Sequence, residues 1–484
     1  MRKLTMAILC STALALGACG SAGKAGAPSN ALSIEQTTQI DSADGIDASK
    51  LLFSSSTSVV IAGGSVGQKW EGAKEAVKRG APLLVRTADN ASAIDSEIKR
   101  LGAQDVITID EPQTPDPEIS EANIADKISQ LTPESPLFDG GASILVSGHT
   151  TAADVATARA SGAKVEYLSS GDARESSTLS ADPDAHVVAL GPSFANKERF
   201  NRQVEMINYG EVPGGGHLIF PSHRVVALYG HPSGGALGVL GEQPAEEAVN
   251  RVNDLVGKYQ AIDPEESVIP AFEIIATVAS SSAGPDGNYS NEGNVDELRP
   301  WVKAIGDAGG IAILDLQPGS ASFLEQAQQF EELLKLPHVG LAIDPEWRLK
   351  PGEKPMERVG SVGAGEVNQT AAWLRDLVKD NELPQKVFVV HQFQHQMVQD
   401  RETLDTTHRS FRGFFTQMVT EPRAISLPRG IWCERICSPS STLRGRTLSM
   451  RINRCSLPNR RLRSSLGLGL CPINKGTRLM RKDP

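Results

Sequence analysis

The chain has 484 residues with 48 Lys and Arg against 58 Asp and Glu, a formal net charge of -10. That charge is divided: residues 1–421 carry 34 basic and 56 acidic groups, whereas residues 422–484 carry 12 Arg, 2 Lys and 2 acids. An acidic body of this length has room for more than one domain and argues against nucleic acid or a bare anionic membrane as partner. Apart from Cys10 and Cys19, the cysteines (Cys433, Cys437, Cys455 and Cys471) all lie near the end, so the body between Ser21 and Trp432 has neither disulfides nor thiolate metal sites.

Arg2 and Lys3 precede an almost uncharged run from Leu4 to Leu16, too short to span a membrane, followed by Leu16-Gly17-Ala18-Cys19. This reads as a lipoprotein signal over residues 1–19, with Cys19 taking the lipid, and predicts a cell-membrane, lipid-anchored protein on the extracytoplasmic face. Residues 20–50 are rich in Ala, Ser, Gly and Asp and read as a flexible linker.

The next region, 51–195, alternates strands and helices. Val59-Val60-Ile61-Ala62 is a buried-strand run closing on Gly63-Gly64, and a helix is predicted through Ala73, Ala76 and Val77. Leu83-Leu84-Val85 is a second strand, Ile94 to Leu101 a helix, and Val106 to Ile109 a third strand. The pattern restarts at Ile144-Leu145-Val146-Ser147-Gly148 and continues through Gly162–Leu168 and Val187–Gly191. The stretch GAPLLVRTADNASAIDSEIKRLGAQDVITI with its preceding VVIAGG strand resembles the cell-wall-binding repeat found in tandem on Gram-positive surface proteins. The likeness covers Leu51–Asp110 well and Ala142–Leu190 weakly. It implies a parallel α/β repeat module that associates with cell-wall polysaccharide or peptidoglycan.

From residue 220 to 415 the pattern becomes strand, loop, helix. Strands are predicted at Val225–Tyr229, Ala271–Ala276, Ile311–Leu314, Leu341–Ile343 and Val387–Val390, with helices at Pro244–Tyr259, Val295–Ala308, Ser322–Lys335 and Glu366–Lys379. A run of βα units with polar residues after the strands is the pattern of a (β/α), TIM-like barrel. This stretch also resembles an uncharacterised family of bacterial exported proteins. The fold class is therefore α/β: a parallel repeat module followed by a barrel-like domain that is incomplete at its C-terminus.

Residues 416–484 string Arg, Ser, Pro and Cys together without helical or strand periodicity. They read either as a basic interaction tail or as a frameshifted translation. For the second reading, synonymous codons for Thr416–Arg423 and the residues flanking them allow the neighbouring frame to encode HADGHGAPRD, and the frame continues across Leu448–Lys475 to a run ending in PWFVSYQ. On that reading the barrel loses its last one or two strands.

Barrel enzymes place their reacting groups at the C-terminal ends of strands. The candidate catalytic residues are Glu273, Asp315, Asp344 and Glu346, which could supply the carboxylate pair of a glycan hydrolase. Candidate substrate contacts are Tyr229, His231, Trp347, His391 and Gln392, with Trp301 a further ring for stacking on sugar. Against this, acids after strands commonly cap the next helix, and Asp344-Pro345 also reads as a turn start. Neither an HxH nor an HxxEH spacing supports a metal site built on His231 or His391, so no metal or cofactor is expected. His395 and His408 read as solvated. The chain is thus expected to be an envelope protein whose barrel acts on or binds glycan. A non-enzymatic surface binder and a solute-binding lipoprotein are the alternatives, although the second would have two similar lobes.

Overall fold

The computed structural model describes residues 32, 34–40, 43–114, 116–134, 137–138, 141–405, 411–416 and 447–450. The signal segment, Cys19, His408 and most of the tail lie outside these residues. Among the described residues no helix is long and apolar enough to cross a membrane.

The N-terminal part is built on seven short strands: β1 (Thr38–Ile40), β2 (Ser58–Ala62), β3 (Leu83–Val85), β4 (Asp105–Thr108), β5 (Ser143–Ser147), β6 (Lys164–Leu168) and β7 (Val188–Leu190). They form two sheets, ordered β3-β2-β4 and β1-β7-β5-β6, with every pairing parallel. The first helix after β2 and the first after β5 share local punctuation. Ser65 caps helix Val66–Arg79 by accepting from the Gln68 amide at 3.1 Å, and Thr151 caps helix Ala152–Ser161 through the Asp154 amide at 3.2 Å. Gly80 and Gly162 end these helices in the left-handed region, at φ 64° and 83°, where a side chain is disfavoured. The two helices pack against each other. The second is almost wholly buried, and its run of Ala, Thr and Ser permits that close approach. One apolar cluster, from Leu32 through Val60, Leu83 and Ile144 to Leu190, runs through both units.

The linker reading of residues 20–50 is corrected over its second half. β1 lies in the second sheet beside β7, and helix Ile46–Leu52 buries Ile46, Ala48 and Leu52. Its apolar residues are few and widely spaced, so average composition hides them. At the other end a second cluster extends past 195 through Phe194, Phe200 and Ile207.

The C-terminal part contains β8 (His223–Gly230), β9 (Ser267–Ala279), β10 (Ser290–Glu292), β11 (Ile311–Leu316), β12 (Val339–Ile343), β13 (Val362–Gly363), β14 (Lys386–His391), β15 (Val398–Gln399), β16 (Phe411–Thr416) and β17 (Thr447–Met450). The main sheet runs β16-β14-β12-β11-β9-β8-β17. From β8 to β16 the neighbours pair parallel in sequence order, as barrel strands do, and the sheet curls into a half-barrel. β17 lies antiparallel on β8, so the tail contributes a strand where no periodicity marks one. Helices Ala245–Ile262, Val295–Asp307, Phe323–Gln329, Glu331–Leu334 and Ala364–Asp380 connect the strands. The helix predicted as Ser322–Lys335 is two helices, because at Phe330 (φ -105°, ψ 16°) the chain leaves helical geometry and the ring enters the core.

Strand parity divides the sheet's apolar residues into two sets. Leu228, Phe272, Ile274, Leu314, Leu341, Ile343 and Phe388 share a cluster with helix residues such as Val252, Val302 and Leu374. On the concave face Val225, Ala227, Ile269, Ala271, Ile311, Ile313, Ala342, Val387 and Val389 form a separate, smaller cluster. That second set leads to the site.

Candidate functional site

Two residues further along the concave side of five successive strands, the apolar set gives way to Tyr229, Glu273, Asp315, Asp344 and His391. Register brings them together. Tyr229 pairs with Glu273, which pairs with Ile313, and Ala342 is opposite Asp315. Because side chains alternate in direction along a strand, all five point the same way at the C-terminal edge. An irregularity in the β9–β11 pairing falls at Asp315/Leu316.

The centre of the site is closed off from the surface. Glu273 and Asp315 are fully buried, and Tyr229, Asp344 and His391 nearly so. His391 Nε2 lies 2.6 Å from Glu273 Oε1 and 3.9 Å from Asp315 Oδ1. The Tyr229 hydroxyl donates to Asp315 Oδ2 at 3.1 Å, and Gln317 Nε2 approaches that hydroxyl at 3.4 Å. Glu273 Oε2 and Asp315 Oδ1 are buried without a hydrogen-bond partner. Glu273, Asp315 and His391 each present one donor atom, all within 4.8 Å of one another.

The electrostatics follow from that geometry. Burial pushes the Asp315 carboxyl well above its ordinary range, and the nearby charges of Asp344 and Glu273 push the same way against the opposing pull of His391. For His391 burial favours the neutral ring, but the Glu273 carboxylate outweighs it, with help from Asp315 and Asp344, and raises the pKa to about 10. The site thus favours the proton on both groups, through burial at Asp315 and through the neighbouring carboxylates at His391. Burial, before any neighbouring group, raises the Tyr229 phenol well above its ordinary value.

The other candidates lie differently. Asp344 accepts from the Glu346 amide at 3.2 Å and caps the short helix Pro345–Trp347, while its charge still reaches Asp315 and His391. Glu346 and Trp347 lie in that turn, half-buried, and Glu346 is not one of the three clustered donors. Gln392 spends its amide on the carbonyls of Gln394 and His395, at 3.0 and 3.2 Å, and so shapes its own loop. His231 lies beyond Gly230, bonded to Ser233 at 2.8 Å, and does not join the cluster. Trp301 packs on Phe272 at the outer core instead of facing the site.

Gln317 is the residue that strand-end reasoning missed. Its Oε1 accepts from the Ala279 backbone amide at 3.1 Å, and its backbone N–H donates to Thr277 Oγ1 at 2.8 Å. Thr277, Gln326 and Ser290 continue a buried polar network behind it. Only its position two residues after Asp315 could have signalled a role. A pocket of about 480 Å³ is lined by Ser320, Arg348, Lys350, Val362, Glu366 and Gln399, among others, on loops that include those following β11 and β12. Within it Arg348 Nε pairs with Glu366 at 3.0 Å.

No family model, curated protein or solved structure matches this chain.

Proposed function

We infer that this chain is a lipid-anchored protein of the extracytoplasmic envelope, whose repeat module associates with wall polysaccharide or peptidoglycan and whose half-barrel hydrolyses a wall glycan. The observation that carries the chemistry is the convergence of Glu273 and Asp315, with oxygens within 4.8 Å, at the C-terminal strand ends. A retaining glycosidase needs carboxyl groups roughly 5–5.5 Å apart, whereas an inverting one needs about 6.5–9.5 Å. The observed spacing favours retention. The protonated Asp315 delivers its proton to the leaving glycosidic oxygen as that bond breaks, and Glu273 forms the bond to the anomeric carbon. Water then displaces Glu273, returning its proton to Asp315. Tyr229 holds Asp315 Oδ2, leaving Oδ1 as the oxygen that transfers the proton.

The test is hydrolysis of purified wall glycan followed by NMR of the released anomer. Retained configuration is expected, with Asp315→Asn and Glu273→Gln each slower by about 10²-fold or more. Equal rates in the wild type and both variants would sink the catalytic reading. A second reading, a non-enzymatic glycan binder, draws on the contrast between the fully buried acids and the separate pocket beside Arg348. Glycan affinity lost in Arg348→Ala, without hydrolysis by the wild type, would favour it.

A further inference from the structure

We propose that Glu273, Asp315 and His391 form a binding site for a first-row divalent metal ion of the manganese or zinc type. The proposal concerns the site already described but does not depend on a glycan being the substrate.

Three observations carry it. One imidazole and two carboxylates, from three different strands, present donor atoms within 4.8 Å of one another. Two carboxylate oxygens there, Glu273 Oε2 and Asp315 Oδ1, are fully buried without partners, which is costly unless something else occupies them. Finally, Tyr229 holds Asp315 Oδ2, so its unpartnered oxygen is the one 3.9 Å from His391 Nε2. Such an outer hydrogen bond is how proteins orient a metal-binding carboxylate.

The distances suit a small ion. Ligands about 2.1 Å from a tetrahedral metal are separated from each other by about 3.4 Å. The present His391–Glu273 separation of 2.6 Å would open and the His391–Asp315 separation of 3.9 Å would close, both by under about 1 Å. A nitrogen donor with two carboxylates selects against calcium and magnesium, which prefer oxygen-only shells. Three protein ligands leave one position open for water or substrate, the arrangement of catalytic rather than structural metal sites. A bound ion displaces the proton from His391 Nε2 to solvent and leaves none on Asp315, so the metal-bound site and the acid–nucleophile pair are alternative states.

The experiment titrates Mn²⁺ into chelator-treated full-length protein and follows the loss of the free-ion EPR signal. Mn²⁺ is the probe because the cysteines of the tail favour softer metals. One bound Mn²⁺ per chain is expected, weakened roughly tenfold or more in Asp315→Asn and unchanged in the surface variant Glu402→Gln. Tyr229→Phe keeps all three ligands and should weaken binding by a smaller factor, so it decides the matter if Asp315→Asn fails to fold by circular dichroism. Absence of binding, or binding that Asp315→Asn and Tyr229→Phe leave intact, or binding abolished by alkylating the cysteines, overturns the proposal. Hydrolysis is scored in parallel on chelated and Mn²⁺-loaded protein. Hydrolysis without Mn²⁺ binding defeats this inference alone, and Mn²⁺ binding without hydrolysis defeats the glycan reading alone.

Discussion

His391 and Glu273 bury a charged hydrogen bond, and its effect on folding can be read from pH. The His391 pKa is raised in the folded protein from 6.5 to about 10. The pair's stabilisation is therefore complete below about pH 6.5 and is lost as pH rises through 10. Melting temperature should fall across that range in the wild type and fall less steeply in His391→Gln; parallel slopes would refute the assignment. Glu166 gives the opposite case. Burial alone would raise its pKa, but Lys164, Thr178 and Ser176 together lower it to about 2 from 4.5. Its contribution is full above pH 4.5 and disappears as pH falls through 2, so Glu166→Gln should flatten the acid limb of the melting curve. At this scale much of the site was legible in the sequence. Glu273, Asp315, Asp344, Tyr229 and His391 all follow from taking polar residues at the ends of apolar strands. What parity alone cannot supply is the conformation beyond each strand. Gly230 (φ 153°) turns the chain before His231, and Asp344 bonds into its own turn.

Elements hold these residues by close backbone approach. Gly238, at φ 120°, passes so near the end of β8 that an added Cβ would lie 2.4 Å from the Tyr229 carbonyl oxygen. Gly238→Ala should therefore cost about 1–3 kcal/mol in denaturant unfolding and displace Tyr229 from Asp315. Gly257 is the contrast: it is exposed within helix Ala245–Ile262, with nothing near the position of a Cβ. Gly257→Ala should stabilise by about 0.5–1 kcal/mol, because glycine loses more freedom on entering a helix. Strands and helices were readable from apolar period and capping residues. The break at Phe330 was not, because FLEQAQQFEELLK keeps a helical pattern across it and only the packing of the ring ends the first segment.

At the scale of the whole molecule the sheet stays open among the described residues: it ends in β16 on one side and in β17, antiparallel, on the other. This agrees with the expectation that the barrel is incomplete at its C-terminus. Sequencing the gene across Asp405–Pro484 should yield a frame reading HADGHGAPRD from Thr416, and codons incompatible with that string would refute the frameshift. Thr416 is in register with His391, so the restored segment would begin beside the buried site. Lipid attachment makes a separate prediction: Cys19→Ala should move the protein from the membrane fraction to the soluble fraction. The two N-terminal sheets carry a last consequence. The Thr157 hydroxyl, on a helix of the second unit, bonds both the amide and the carbonyl of Leu83 on β3 of the first, at 3.0 and 3.2 Å. The Val85 amide donates to the Asp44 carbonyl at 3.0 Å, so residues from outside the first unit satisfy both ends of that strand's outer margin. A gene fragment encoding only Leu51–Asp110 would leave this margin bare and ready to pair with another copy of itself.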